Sequence, residues 1–266
     1  MKTLNGFCNY VPSGKAVVNG DTSTVQSFYM SAGEITNIQY NEFLFDLKRN
    51  GELAKLKIAS IDTVNWINKS GYGASYADYY HRHPAYEDYP VVNVTKEGAE
   101  LFCSWLSKKY EELSNGELKI TFRIPTHAEW MRAARGSNHY ATYTWGGPYL
   151  RGSKGNLLAN FMAFGSENIT QNPNNGKLEV VNVPNLSRYG DNADVTAPVL
   201  SYYPNEFGMY NMNGNVAEMV SDGAIAVGGG WRSPGYDIRN ESSVAFNEPD
   251  PTVGFRVVAT YSSTKK

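Results

Sequence analysis

Between Gly136 and Gly235 the chain passes through turn after turn with almost no helical or strand periodicity. Asn172-Pro-Asn-Asn-Gly, Gly190-Asp-Asn and Asn213-Gly214-Asn215 supply residues that tolerate left-handed backbone or pre-set a turn. A stretch this long cannot sit in a compact domain as plain loop, because its backbone polar groups need partners. Bound metal, a dense hydrogen-bond network, or both would meet that need.

Helical pattern is confined to the first half. Thr36 and Gln39 have capping-box spacing, and Tyr40, Phe43, Leu44 and Leu47 then share one face, predicting a helix over 36–48. A second helix starts at Thr95, buries Ala99, Phe102, Cys103, Leu106 and Tyr110, and ends near Asn115-Gly116. A third follows Pro125, with Thr126 as cap, Glu129 three residues on, and Trp130, Ala133 and Ala134 within it. Strands are expected at Thr24–Met30, Lys119–Arg123 and Val253–Tyr261. No repeat or linker divides the chain, so one domain over 9–262 is expected.

Hydrophobic residues at 41% and charged residues at 19% exclude a disordered chain. A net charge of −2 provides no basic excess for phosphate contacts, which argues against nucleic-acid binding. Cys8 and Cys103 are too few for a disulfide framework or a zinc site of their own. No segment approaches the roughly 18 uninterrupted apolar residues of a membrane span. The first residues, Met1 to Cys8, lack an apolar leader core. The expected location is therefore the cell envelope if a leader has been removed, and the cytoplasm otherwise.

Several blocks, in order, carry a resemblance. They are Phe28-Tyr-Met-Ser-Ala-Gly-Glu-Ile-Thr-Asn, Tyr89-Pro-Val-Val-Asn-Val-Thr and Phe122-Arg-Ile-Pro-Thr-His-Ala-Glu-Trp-Met-Arg-Ala-Ala-Arg-Gly. Asn205-Glu-Phe-Gly-Met-Tyr-Asn-Met-Asn-Gly-Asn-Val-Ala-Glu follows, then Val227-Gly-Gly-Gly-Trp-Arg-Ser and Val253-Gly-Phe-Arg-Val-Val. Together they resemble the formylglycine-generating-enzyme, or sulfatase-modifying factor, family. The resemblance implies an α+β fold, the loop-rich variant of the C-type lectin fold. Fold alone does not give activity.

The family's enzyme oxidises a substrate cysteine with dioxygen and copper(I) held by two thiolates, soft ligands for a soft ion. The positions that resemble those thiols read Ser233 and Ile238 here. Cys8 lies at the far N-terminus and Cys103 on an apolar helix face, so no copper is expected. A second enzymatic branch uses non-haem iron on an additional helical domain, and nothing here is similar to it. His81 and His83 would share one strand face, but no third metal ligand stands near them in sequence. His127, just inside a helix start, is expected to be structural.

The resemblance also implies structural calcium. One set maps onto Asn160 and Phe161 with Asp191 and the Ala193 carbonyl, Asp194 being an alternative to Asp191. A second maps onto Asn211, Gly214, Val216 and Glu218, with Ala217 and Met219 replacing the family's aromatics. Oxygen ligands of this kind suit a hard cation, whereas the alternative is that they bond only to backbone.

Two further features point to binding. Tyr72, Tyr76, Tyr79, Tyr80, Tyr86 and Tyr89 form either a contact surface or an insertion folded in by its own rings. Trp231, Arg232, Ser233, Tyr236 and Asp237 line the groove expected of this fold, and either bind a peptide or sugar or close the domain through an Arg–Asp pair. The expectation is a non-catalytic binding or assembly module with a protein or glycan partner. His83-Pro-Ala-Tyr-Glu-Asp-Tyr-Pro-Val-Val is similar, more loosely, to domains of Bacteroidota gliding-motility and type IX secretion lipoproteins. The competing expectation is an oxidoreductase of the family acting on a protein or small thiol by other chemistry. A diversified receptor on the same fold would carry a run of asparagine-rich variable positions near the C-terminus, which is not seen here.

Overall fold

The computed structural model describes residue 4 and residues 6–69, 73–114, 118–163, 169–171, 175–180 and 193–263. Strands β1 (Cys8–Val11), β2 (Gly14–Val18), β3 (Asp21–Val25) and β4 (Phe28–Ser31) come first. Helices α1 (Asn37–Arg49), α2 (Leu53–Ile58), α3 (Asn65–Lys69), α4 (Gly73–Tyr79) and α5 (Lys96–Leu113) follow. After β5 (Leu118–Arg123) and α6 (His127–Arg135) come only short strands: β6 (Ile169–Gln171), β7 (Leu178–Val180), β8 (Ala217–Met219), β9 (Ile225–Val227), β10 (Ser243–Ala245), β11 (Val253–Gly254) and β12 (Val258–Ser263). The class is α+β.

The three expected helices form where their caps placed them. Thr36 and Gln39 bond each other's backbone N–H groups at the start of α1, and Thr126 and Glu129 do the same for α6. Thr95 Oγ1 accepts from the Gly98 N–H to open α5. Two expected strands divide. Thr24–Met30 becomes the end of β3, which pairs only with β2, and the start of β4, which lies between β1 and β12. Val253–Tyr261 splits because β11 runs parallel to β8 whereas β12 runs antiparallel to β4 and β5. Phe255 and Arg256, in the break, turn fully inward.

The main sheet has the order β1-β4-β12-β5, and the smaller one β10-β9-β8-β11. Helices α1 and α5 pack an aromatic core on the main sheet. The Tyr40 and Phe102 rings stack at 5.7 Å, with Phe43 and Phe255 edge-on to Phe102. Removing a ring such as Phe102 would cost about 3–5 kcal/mol. A second core gathers Trp130 of α6 with Met209, Met212 and Val227.

A network of buried asparagine amides stabilises the loop region. Asn213 accepts from the Thr144 N–H and donates to the Ile238 carbonyl and Asn240 Oδ1, while Asn240 donates to the Ala141 carbonyl. Asn205 accepts from the N–H groups of Phe207 and Met209 and donates to the Ala133 carbonyl at the end of α6. Each amide adds side-chain ties between loop segments, beside direct backbone bonds such as that from the Asn240 N–H to the Thr142 carbonyl.

Candidate functional site

The Gly228–Ser233 turn sets the geometry of the groove. Gly229 has φ +66°, and a Cβ there would lie 2.5 Å from the Asp237 carbonyl oxygen, so the turn and the following segment can close only over glycine. The Gly230 N–H donates to Ser233 Oγ at 3.0 Å, and the Ser233 N–H donates back to the Gly230 carbonyl. Ser233 is thus the lock of the turn. Ile238 is fully buried against Tyr143, Leu157, Ala159 and Phe161, and does not face the groove.

The expected groove residues separate. Ser233 and Asp237 line an open polar recess of about 480 Å³, joined by Arg239, Glu241, Ser242 and Thr252. Trp231 turns away from it: its Nε1 donates to the Pro251 carbonyl and its ring stacks on Trp66 at 6.3 Å. Arg232 lies over the Trp231 ring at 5.7 Å. Tyr236 is exposed, with the Arg239 guanidinium 3.5 Å above its ring. Arg239 and Glu241 were not expected from the sequence. Their alternate spacing after Asp237 is the only signal that could have pointed to them. Glu241 pairs with Arg135 of α6 at 2.6 Å.

Neither cysteine lies in the groove. Both thiols are free and buried in the core around α1 and α5, and burial pushes each up to about 12. A thiol held neutral is a poor nucleophile. His81 and His83 do not share a strand face but follow α4 in a turn. His81 accepts from Trp66 Nε1 and meets Asn37 Oδ1 through Nδ1, and burial lowers it to about 3. His83 Nδ1 accepts from the Ala85 N–H. Both nitrogens of His81 are occupied, so the two histidines make no metal pair. His127 is buried at the first position of α6, its backbone N–H donating to Asp222. Of the tyrosines, Tyr76, Tyr80, Tyr86 and Tyr89 pack inward on Trp66 or on one another, Tyr79 is exposed, and Tyr72 lies outside the described residues. The insertion is folded in by its own rings.

Several of the residues mapped to calcium have other occupations. Glu218 receives Arg256 Nε and Nη2, each at 2.5 Å, and Trp130 Nε1 at 2.7 Å, so its carboxylate does not fit as a calcium ligand. The Val216 side chain packs beside Trp66 and the Gly214 N–H donates to the Gly228 carbonyl, contacts that leave the carbonyl oxygens of both residues unused among the described residues. Asn211 Nδ2 donates to the Val199 carbonyl, while its Oδ1 is buried with no hydrogen-bond partner among the described residues. The Asn160 carbonyl accepts from the Asn215 N–H at 2.7 Å and its side chain donates to the Val195 carbonyl. Phe161 lies in the Ile238 cluster, Asp194 accepts from the Tyr76 hydroxyl, and Asp191 lies outside the described residues. Among the described residues no group of three or more His, Cys, Asp or Glu side chains could hold a metal.

A buried ionic cluster joins the first and last sequence blocks. Arg256, fully buried, forks onto Glu218 and also donates to the carbonyls of Ser31, Ala32 and Tyr210. Glu34 is buried beside it and accepts from Asn215 and Asn211. Burial, opposed by Arg256 and reinforced by Glu218, raises the Glu34 carboxyl to about 8. One guanidinium faces two carboxyls, so a proton on Glu34 makes the cluster neutral. Glu34 and Arg256 were visible in the sequence as members of its blocks, but nothing in the spacing joined them.

Fold and groove together describe a loop-rich α+β domain that carries Ser233 and Ile238 where the resemblance implies copper thiolates. The chain belongs to the sulfatase-modifying factor enzyme 1-like domain family, which it matches over residues 9–261. It is 26% identical to the formylglycine-generating enzyme of Mus musculus over 257 residues, covering 87% of this chain and 55% of that one. It is likewise 26% identical to the inactive C-alpha-formylglycine-generating enzyme 2 of Bos taurus, covering 50% of this chain and 33% of that one. Among solved structures, CarF superposes with a TM-score of 0.60 at 18% identity, covering 95% of this chain and 97% of that one. The chain spans about half or less of the length of these curated relatives.

Proposed function

We propose that this domain is a non-catalytic member of its family that binds a partner, a protein or a glycan, as an assembly module. One observation carries the reading: Ser233 locks a turn and Ile238 is core, at the two positions where copper(I) chemistry needs thiolates. The inactive bovine relative supports it by showing that the family includes proteins named as inactive. Incubation with copper(I), air and a cysteine-containing sulfatase peptide tests it by mass spectrometry. No aldehyde is expected; oxygen-dependent aldehyde formation would establish the competing oxidoreductase reading.

The polar recess beside Ser233 and Asp237 is the proposed binding groove. The proposed setting is the cell envelope, of the gliding or type IX secretion kind, supported by the looser likeness of the His83–Val92 segment. Fractionation of the native cells tests it, with recovery in the cytosol counting against it. Calcium is proposed as a structural ion near Asn211 and Gly214, supported by the buried Asn211 Oδ1, which has no hydrogen-bond partner among the described residues. A melting midpoint unchanged by chelator would discard it.

A further inference from the structure

Strand β10 is the outermost strand of the smaller sheet and pairs only with β9. Its register fixes which backbone groups are already used. The Gly228 N–H donates to the Ser242 carbonyl and the Phe246 N–H to the Ala224 carbonyl. Hydrogen-bonded pairs alternate along an antiparallel ladder, so Val244 opposite Ala226 is the third. Ser243 and Ala245 therefore turn their N–H and C=O groups away from β9, toward the open edge. All three β10 side chains are exposed. Natural edges are blunted by short length, charge, proline or a bulge; Ser243-Val-Ala is short but has no charge or proline.

The edge has a recess at each end. The polar recess of about 480 Å³ is walled partly by Ser242, Ser243 and Val244, and a second of about 470 Å³ by Phe246, Asn247 and Glu248 with the start of α5. The second recess is acidic. Glu97 and Glu248 have no ion-pair partner among the described residues and outnumber the one lysine, Lys96, whose ammonium is anchored by the carbonyls of Ser221 and Gly223 at 2.9 and 2.8 Å. We infer that β10 is a docking edge for an extended peptide of a partner protein, which adds as a fifth strand and places a lysine or arginine side chain between Glu97 and Glu248. Main-chain bonds to Ser243 and Ala245 supply affinity, and the recesses supply selectivity. The bound stretch spans roughly six residues, about 20 Å, from Ser242 to Asn247. This inference rests on the partner-binding reading proposed above, whose recess it shares, and stands whether or not the domain is catalytic.

The test is selection of a randomised nine-residue phage-displayed peptide library on the whole chain, followed by fluorescence anisotropy with the best synthetic peptide. Enriched sequences are expected to carry lysine or arginine at a recurring position. Ala245→Pro removes an outward N–H that β9 does not use, and is expected to weaken binding about tenfold or more. Alternate N-methylation of the peptide should do the same on the unaltered protein, which keeps the test decisive should the proline variant fail to fold. The double change Glu97→Gln and Glu248→Gln should weaken the basic peptide severalfold. Failure to enrich any peptide, or equal binding after N-methylation, would overturn the inference. So would concentration-dependent self-association that Ala245→Pro abolishes, since the edge would then belong to a second copy.

Discussion

Replacing Glu34 by glutamine should remove most of a pH dependence that the buried cluster imposes on folding. In the folded chain the carboxyl titrates at about 8, against 4.5 for an unperturbed glutamate. Between those values the native state keeps a proton that the unfolded chain has released. Stability then falls as pH rises, with a slope of about 1.4 kcal/mol per pH unit. The sign is that of a raised carboxyl: the contribution is fully present below 4.5 and is lost by the time pH passes 8. The loss amounts to about 3 kcal/mol at pH 7 and about 5 kcal/mol by pH 9. Glutamine keeps an oxygen for the Asn215 amide to donate to, is neutral at every pH, and leaves the Arg256–Glu218 pair balanced. The assay is urea unfolding of both proteins at intervals from pH 5 to 9, read as the difference between them so that other titrating groups cancel. Glu34→Gln is expected to flatten the slope and to be the more stable protein at pH 8. Parallel curves would refute the reasoning, because Glu34 would then titrate alike in both states.

Other expectations follow from the same geometry. Arg256→Met should cost about 3–5 kcal/mol in urea unfolding, because Glu218 is left charged and buried. The double change Ser233→Cys and Ile238→Cys should not create a tight two-thiolate copper(I) site by competitive chelator titration, since position 238 faces the core. Wild-type-like stability together with tight copper binding would refute that placement. Cys8 and Cys103 should resist maleimide in native buffer and react fully in denaturant, as mass spectrometry would show.

The sequence carried the local part of this fold well. Thr36–Gln39 and Thr126–Glu129 are bonded within four residues of chain, so their helices could be read without knowing what they pack on. Strands were harder. A strand exists only through its neighbour, and neither the split of Thr24–Met30 nor that of Val253–Tyr261 is marked in the residues themselves. The site divides the same way. That Ser233 and Ile238 are not thiols is a fact of composition at two positions. Ser233 locks its turn through Gly230, three residues away, but that Ile238 is buried and Trp231 points away from the groove depends on partners far along the chain.

The sequence by itself determined the family, the main helices and the lack of soft ligands at the copper positions, because side-chain identity and short-range spacing are enough for each. Only the tertiary structure decided how the region from Gly136 to Gly235 holds together. Its described loops are tied by asparagine amides, and Glu218 is met by Arg256, 38 residues later in the chain. The reason is physical: a buried polar group is satisfied by whichever atom lies within about 3 Å, and in a loop-rich domain that atom is seldom near in sequence.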